Sequence, residues 1–195
     1  MAELGLPEVQ QAEVTVLHEG YAGERVGSTV GLVVEPGFVV VIDPGMVRDR
    51  SMILDPLFAH DLRPEDVTDV VFSHHHPDHT LHAALFDEAR FHDHWAIYRR
   101  DVWTSRDADG FSVSPSVRLA ATPGHTPQDI TTLVGTSAGI VAFTHLWWHS
   151  GGPAEDPRAT DPGQLHLHRS RVLEVAGVVI PGHGPSFRPD DTTPR

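Results

Sequence analysis

The chain has 195 residues, a formal net charge of −13, no cysteine, and 14 basic residues that are all arginine. Because domains hold roughly 100–200 residues, this length predicts one domain, or one domain with a small lobe, and we assign the domain to 1–187 and a polar tail to 188–195. The composition excludes disulfides, thiolate metal ligands and a Schiff-base lysine, and the negative charge argues against a nucleic-acid partner.

Segments rich in β-branched residues and separated by turn residues predict a series of strands. In chain order, these strands lie at 13–17, 28–35, 38–43, 69–73, 117–125, 129–135, 139–145 and 178–181. Helices are predicted at 56–63, 81–89 and 170–177. Strand runs interleaved with a few helices are typical of a layered α+β or α/β domain. The polar, proline-rich segment 186–195 is expected to be weakly ordered.

Histidines follow the ends of four predicted strands. The segments are VVFSHHHPDH (70–79), LAATPGHTP (119–127), VAFTHLWWH (141–149) and VVIPGHGP (178–185). A strand end is a fixed position, and glycine lets the backbone turn so that the next side chain enters a shared cleft. Metal sites require imidazoles and carboxylates from several such positions. The chain holds 15 histidines, and we expect the eight outside these contexts or at their fringe to have surface or structural roles.

The cluster at 74–79 has a specific order as well as many histidines. His74 and His76 lie two residues apart, so both side chains can point the same way from an extended turn. Asp78 and His79 are adjacent and diverge, which suits a second ion. His75 falls out of phase and is predicted not to bind metal.

Together these segments resemble the metallo-β-lactamase-fold hydrolases. The family motif His-x-His-x-Asp-His is complete at 74–79, its Pro-Gly-His-Thr loop matches 123–126, and its last histidine matches the Pro-Gly-His at 181–183. The resemblance covers about residues 13–187, and the short chain is similar to small single-domain members. It implies an α+β fold, a four-layer αββα sandwich with metals at one edge of the two sheets.

The resemblance also implies two metal positions. The first ligand set is His74, His76 and His125. The second ligand set is Asp78, His79 and His183. Asp43, in the segment VVVIDPG, would support a ligand from behind. Zinc is the usual ion, one or two per chain, and iron or manganese occurs in some branches.

One position departs from the family pattern. Where relatives place an aspartate that bridges both metals, this chain has His145. A neutral imidazole has one lone pair, whereas a carboxylate offers two oxygens and a negative charge. His145 is therefore predicted to bind one ion or none, unless it bridges as an imidazolate. Binding of a single metal remains open, as does a degenerate second site with His145 pointing away.

The resemblance predicts hydrolysis by a zinc-bound hydroxide, because zinc lowers the pKa of its bound water to about 7. Asp78 is the predicted catalytic residue, which would orient the nucleophile and relay its proton. Trp147 and Trp148 follow His145, and at least one is predicted to line the substrate pocket, the alternative being that both pack on the core. An apolar wall would suit an ester, lactone or thioester. The loop 149–163 is predicted to form a flexible rim.

Three alternative functions remain. The first is a mononuclear-iron dioxygenase of the persulfide type, although His145 removes a carboxylate that helps to hold iron. The second is a metal-dependent phosphodiesterase or RNase, which the net charge of −13 disfavours. The third is a non-catalytic metal-binding protein. The expected partner is a small-molecule substrate. No apolar run approaches the ~18 residues of a membrane span and no signal peptide is recognisable, which suits a cytoplasmic protein.

Overall fold

The computed structural model describes residues 4–9 and 11–195. The strands are β1 (Glu13–His18), β2 (Tyr21–Ala22), β3 (Val26–Gly27), β4 (Val30–Glu35), β5 (Phe38–Ile42), β6 (Asp69–Val71), β7 (Arg90–His92), β8 (Ala96–Arg99), β9 (Val102–Ser105), β10 (Ser112–Ser114), β11 (Val117–Ala121), β12 (Ile130–Thr136), β13 (Gly139–Thr144) and β14 (Val178–Pro181). The helices are α1 (Ser51–Ala59), α2 (Pro77–Thr80) and α3 (Pro162–Leu173), with 3₁₀ turns at Pro64–Asp66 and Ala83–Phe86.

Two large sheets make up the body of the described chain. The first has seven strands in the order β1-β4-β5-β6-β7-β8-β9, and the second has five in the order β10-β11-β12-β13-β14. Strands β5, β6 and β7 run parallel to one another, as do β13 and β14, and the other pairs are antiparallel. The short hairpin β2–β3 stands apart from both sheets.

The alternation of side chains along the strands divides them between an inner and an outer layer. In β4, Val33 enters the core between the sheets, whereas Leu32 joins the cluster that contains α1. In β12, Val134 enters the inner core, whereas Leu133 joins Leu165 of α3. Burial of each such side chain contributes about 1.5–3 kcal/mol. One helix layer therefore covers each sheet, which confirms the predicted αββα sandwich.

Every predicted strand corresponds to an observed one, and three of the four strands that precede a histidine loop end earlier than predicted. The strand predicted at 69–73 ends at Val71, and the one predicted at 117–125 ends at Ala121. The residues beyond these ends leave the sheet to reach the site. The sequence pattern does not predict the short strands β2, β3 and β7 to β10, none of which exceeds four residues.

The helix predictions are only partly correct. The helix predicted at 81–89 is wrong, since the chain forms α2 and a 3₁₀ turn there. The imidazole of His82 donates a hydrogen bond to the carbonyl of Gly45 at 2.6 Å, and Leu81 is 60% exposed, so this segment follows the loop beside it and not an amphipathic pattern. The helix predicted at 56–63 is α1, which begins at Ser51 and ends at Ala59.

The last predicted helix, at 170–177, overlaps only the end of α3. The observed helix begins eight residues earlier along the chain, at an Asp-Pro pair inside a segment of loop-like composition. Asp161 accepts a hydrogen bond from Gln164 N at 3.0 Å, and Pro162 occupies the first turn. Both features favour helix initiation, so the pair is a start signal that the prediction overlooked.

The C-terminal segment packs on the body, so the expectation of weak order is wrong. Phe187 bridges to Val179 of β14, and Trp147 Nε1 donates to Pro194 O at 2.8 Å. None of the helices in the described part of the chain has the length and apolar character that crossing a membrane requires.

Candidate metal centre

The candidate ligands lie in loops and turns that follow strand ends, and they meet at one edge of the sandwich. The group from the cluster after β6 is His74, His76, Asp78 and His79. His125 follows β11, His145 directly follows β13, and His183 follows β14. Because β6 and the strands β11, β13 and β14 deliver these residues from both sheets, the site spans the sandwich.

Three imidazole nitrogens converge at the position predicted for the first metal. His74 Nε2 lies 2.9 Å from His76 Nδ1, and His125 Nε2 lies 3.2 Å from the same atom. All three ligand atoms fall within 4.8 Å of one another. A tetrahedral zinc site with three histidines and an open fourth position uses this donor set.

The second predicted ligand set also comes together. Asp78 Oδ2 lies 3.6 Å from His79 Nε2 and 3.5 Å from His183 Nε2. These three residues each place a ligand atom within 4.8 Å of the others. Two ligand groups of three therefore stand side by side.

His145 lies inside the cluster and does not point away from it. Its Nε2 is 3.1 Å from His183 Nε2, and its ring centroid is 4.2 Å from that of His125 and 4.6 Å from that of His74. The ring fits because position 182 is glycine: a Cβ there would lie 2.4 Å from Cδ2 of His145. The geometry makes His145 a further candidate ligand at the position between the two groups.

The donors at this site suit a cation. His79 Nε2 and His145 Nδ1 are buried and have no hydrogen-bond partner among the described residues, which is costly for polar atoms. Burial, followed by the neighbouring imidazoles, lowers the pKa of His74 and His145 well below the usual value, and lowers the pKa of His183 to about 4. Neutral imidazoles keep the lone pairs that bind metal.

A supporting layer orients the imidazoles from behind. Asp43 Oδ2 lies 2.8 Å from His79 Nδ1, and the same carboxylate accepts hydrogen bonds from Ser73 N and Ser73 Oγ at 2.7 and 2.6 Å. Asp43 therefore lies behind the ring of a candidate ligand, and its supporting role stays a prediction. His183 Nδ1 lies 2.9 Å from the carbonyl of Gly27. Such outer partners fix the ring that faces the metal.

Asp156 is a supporting residue that the sequence analysis missed. Its Oδ2 accepts from His125 Nδ1 at 2.7 Å and from Trp148 Nε1 at 3.1 Å, and its Oδ1 accepts from Arg158 N at 2.8 Å. A lone acid in a Gly/Pro-rich loop gives no signal of this role. The loop predicted as a flexible rim is instead held against the site, and its last two residues belong to α3.

A cavity of about 480 Å³ opens onto the cluster. It is lined by Ala22, Gly23, Val26, His76, Pro77, Asp78, His125, His145, Trp148, Arg158 and His183. Trp148 therefore lines the pocket, as predicted for one of the pair. Trp147 is fully buried and packs near Phe187, with its Nε1 donating to Pro194 O at 2.8 Å and the guanidinium of Arg169 lying over its ring, so its predicted pocket role is wrong.

His75 does not face the cluster. Its Nε2 lies 3.1 Å from Asp93 Oδ2, and its ring stacks on Trp95 with a centroid separation of 5.4 Å. This position agrees with the prediction that His75 is not a ligand.

Sequence comparisons relate residues 23–187 to the family described as the Metallo-beta-lactamase superfamily. The Xenopus laevis protein named Metallo-beta-lactamase domain-containing protein 1 is 35% identical over 189 residues, which cover 90% of this chain and 81% of that protein. The human protein of the same name is 34% identical over 157 residues, which cover 76% of this chain and 59% of the human protein. The chain thus spans less than two thirds of the human relative.

Structural comparisons support the same fold. A crystal structure of a Thermotoga maritima protein superposes with a TM-score of 0.73 at 20% identity, covering 92% of this chain and all of the other. A quorum-quenching N-acyl homoserine lactone lactonase superposes with a TM-score of 0.62 at 17% identity, covering 91% and 90% of the two chains. At these identities, the likeness establishes the fold.

Proposed function

Because the chain belongs to the metallo-beta-lactamase superfamily, we propose that it is a metal-dependent hydrolase that cleaves an ester, lactone, thioester or related small molecule. The observation that carries the proposal is the convergence of three imidazole nitrogens beside an open cavity. His76 Nδ1 lies 2.9 Å from His74 Nε2 and 3.2 Å from His125 Nε2. The lactone-cleaving activity named for one structural relative is consistent with this class of substrate.

Zinc is the metal that we propose. The ligands that face one another are six imidazoles and the carboxylate of Asp78, since Asp156 stands behind the ring of His125, and the chain has no cysteine. Imidazole-rich sites suit zinc, whereas manganese favours more oxygen ligands. When bound, zinc acts as a Lewis acid and makes water a nucleophile near neutral pH.

The chain's own residues position the reaction around that metal. Asp78 borders both the cavity and the second ligand group, so its carboxylate can orient a water molecule and accept its proton. Asp43 and Asp156 hold the rings of His79 and His125 in fixed orientations. This rigidity limits the reorganisation that the ligands undergo during turnover.

We also propose that His145 binds a metal in place of the family's bridging aspartate. Its ring lies between the two ligand groups, and His145 belongs to groups of candidate ligands with both His79 and His125. A single imidazole lone pair serves one metal at a time. His145 therefore completes one centre and leaves the other with an open position for substrate.

The test is metal content together with hydrolysis. Protein purified without added metal is loaded with zinc, and its metal is counted by mass spectrometry while esters and lactones are assayed with and without chelator. We expect about two zinc ions per chain, falling toward one in His145→Ala, and chelator-sensitive hydrolysis. The matched control is His60→Ala, since His60 is exposed at the end of α1.

Two results would contradict the proposal. If the chain stays free of metal under saturating zinc, the proposed metal centre does not exist. The hydrolase proposal is also contradicted if the zinc-loaded chain cleaves none of the esters and lactones. It is contradicted as well if the chain shows only oxygen uptake with iron and a persulfide.

A further inference from the structure

One wall of the cavity is a loop held from behind by a buried arginine. Arg169 of α3 is fully buried. Its guanidinium donates hydrogen bonds at 2.7–2.8 Å to three backbone carbonyl oxygens, those of Leu146, Pro153 and Ala154. Asp156 fixes the next turn by accepting from Arg158 N at 2.8 Å. The backbone of Arg158 is therefore held in a defined place beside the ligands.

Arg158 presents a cation at the mouth of this cavity. It is the one arginine among the described residues that line it. No acidic side chain of the described chain lies within 4.0 Å of its guanidinium, whereas Arg90, Arg99 and Arg100 each pair with a carboxylate. Burial lowers the pKa of His76, and the neighbouring charge of Arg158 contributes in the same direction. The guanidinium is thus near the site and free to bind an anion.

The remainder of the cavity is largely apolar away from the ligands. Ala22 and Val26 come from the β2–β3 hairpin, and Pro77 and Trp148 come from other parts of the chain. A cavity of about 480 Å³ accommodates a small molecule. The cavity therefore combines apolar walls, the candidate metal ligands and one arginine without a carboxylate partner in the described chain.

We propose that the substrate carries a carboxylate that Arg158 binds while the metal centre acts on an ester or thioester elsewhere in the same molecule. A guanidinium presents a planar fork that matches a carboxylate in two parallel hydrogen bonds. A phosphate usually draws several cationic or amide donors, and this cavity supplies one arginine. The inference rests on the proposed hydrolase function and narrows its substrate class.

The experiment compares two esters that differ in one terminal group, 4-nitrophenyl hydrogen glutarate and 4-nitrophenyl pentanoate. Zinc-loaded wild type is expected to favour the glutarate through a lower KM. In Arg158→Gln this preference falls about tenfold, which is the size of one charged hydrogen-bond pair. Arg25→Gln is the matched control, because Arg25 lies in the β2–β3 turn, outside the lining residues, and removes the same charge.

A binding measurement separates this inference from the proposed function. Calorimetry on the zinc-loaded protein uses the corresponding 4-nitroanilides, whose binding requires no turnover. If no ester is cleaved, the hydrolase proposal fails, yet weaker glutaryl-anilide binding in Arg158→Gln alone still supports the carboxylate site. Equal binding of both anilides to wild type, or the same loss in Arg25→Gln as in Arg158→Gln, overturns it.

Discussion

The carboxylate of Asp156 accepts hydrogen bonds from a candidate metal ligand, from a tryptophan that lines the cavity and from the backbone of its own loop. We predict that Asp156→Asn weakens metal binding at the first centre. The contacts of this carboxylate with His125 Nδ1, Trp148 Nε1 and Arg158 N measure 2.7, 3.1 and 2.8 Å. Burial by itself would raise the pKa of Asp156, but hydrogen bonds from His125 and Arg158 N lower it overall, so the side chain is anionic at neutral pH. Asparagine keeps the shape and loses the charge and one acceptor oxygen.

The magnitude follows from those contacts. Loss of an outer partner of a metal-binding histidine costs about 10–100-fold in metal affinity. A buried group left without its hydrogen-bond partner costs about 1–3 kcal/mol of stability. We therefore expect zinc to bind about 10–100-fold more weakly in Asp156→Asn, and the metal-free protein to unfold at a lower denaturant concentration.

The assay is a competitive titration of metal-free protein with zinc and a chromophoric chelator, with circular dichroism to confirm folding. Asp55→Asn on the exposed face of α1 makes the same chemical change away from the site and should leave zinc affinity unchanged. A folded Asp156→Asn protein that binds zinc as tightly as wild type would refute the view that Asp156 fixes the His125 ring.

Two further predictions follow from burial. Trp147→Ala removes a fully buried ring and should lower the free energy of unfolding, measured in urea, by about 3–5 kcal/mol. Trp148→Ala should lower it by about 1 kcal/mol and raise KM for esters, because Trp148 lines the cavity. Equal losses of stability in the two variants would contradict these placements. Burial raises the pKa of Asp129 to about 6 from the ordinary 3.8. Between these pH values the folded state keeps a proton on Asp129 that the unfolded state has lost, so the free energy of unfolding falls as pH rises, by about 3 kcal/mol in all. In chelator-treated protein, melting temperatures of Asp129→Asn should lose this slope, and a slope equal to that of wild type would count against the buried proton.

The sequence predicts many of the candidate ligands because they lie in the segments that follow the ends of β6, β11, β13 and β14. Strand ends are local features of the sequence, whereas the ligand roles predicted for His74, His125 and His183 come from the resemblance to the metallo-β-lactamase-fold motifs. The supporting role predicted for Asp43, which follows β5 directly, also comes from that resemblance. The supporting acid Asp156 is different, because only the folded loop carries it to the histidine on which it acts.

The helices were harder to predict because their signals compete with tertiary contacts. The segment 81–89 has helical composition, yet the hydrogen bond from His82 to the Gly45 carbonyl holds it to the loop after β5. For α3 the opposite holds, since the start signal lies in the Asp161–Pro162 pair within a loop-like composition. Helix propensity is therefore a weak guide in segments whose conformation is set by tertiary contacts near the site.

The replacement of a bridging aspartate by His145 changes the charge of the centre. Among the ligands that face one another in the described chain, Asp78 is the one carboxylate, so two zinc ions would exceed the negative charge of their direct ligands by about three units. Asp43 and Asp156 stand behind the imidazoles and offset part of this excess without occupying a coordination position. With two zinc ions bound, the remaining positive charge would face the cavity, where Arg158 would add to it. On the proposed zinc loading, a strongly acidic protein would present a locally positive pocket, which should select a substrate that carries a carboxylate over a neutral one.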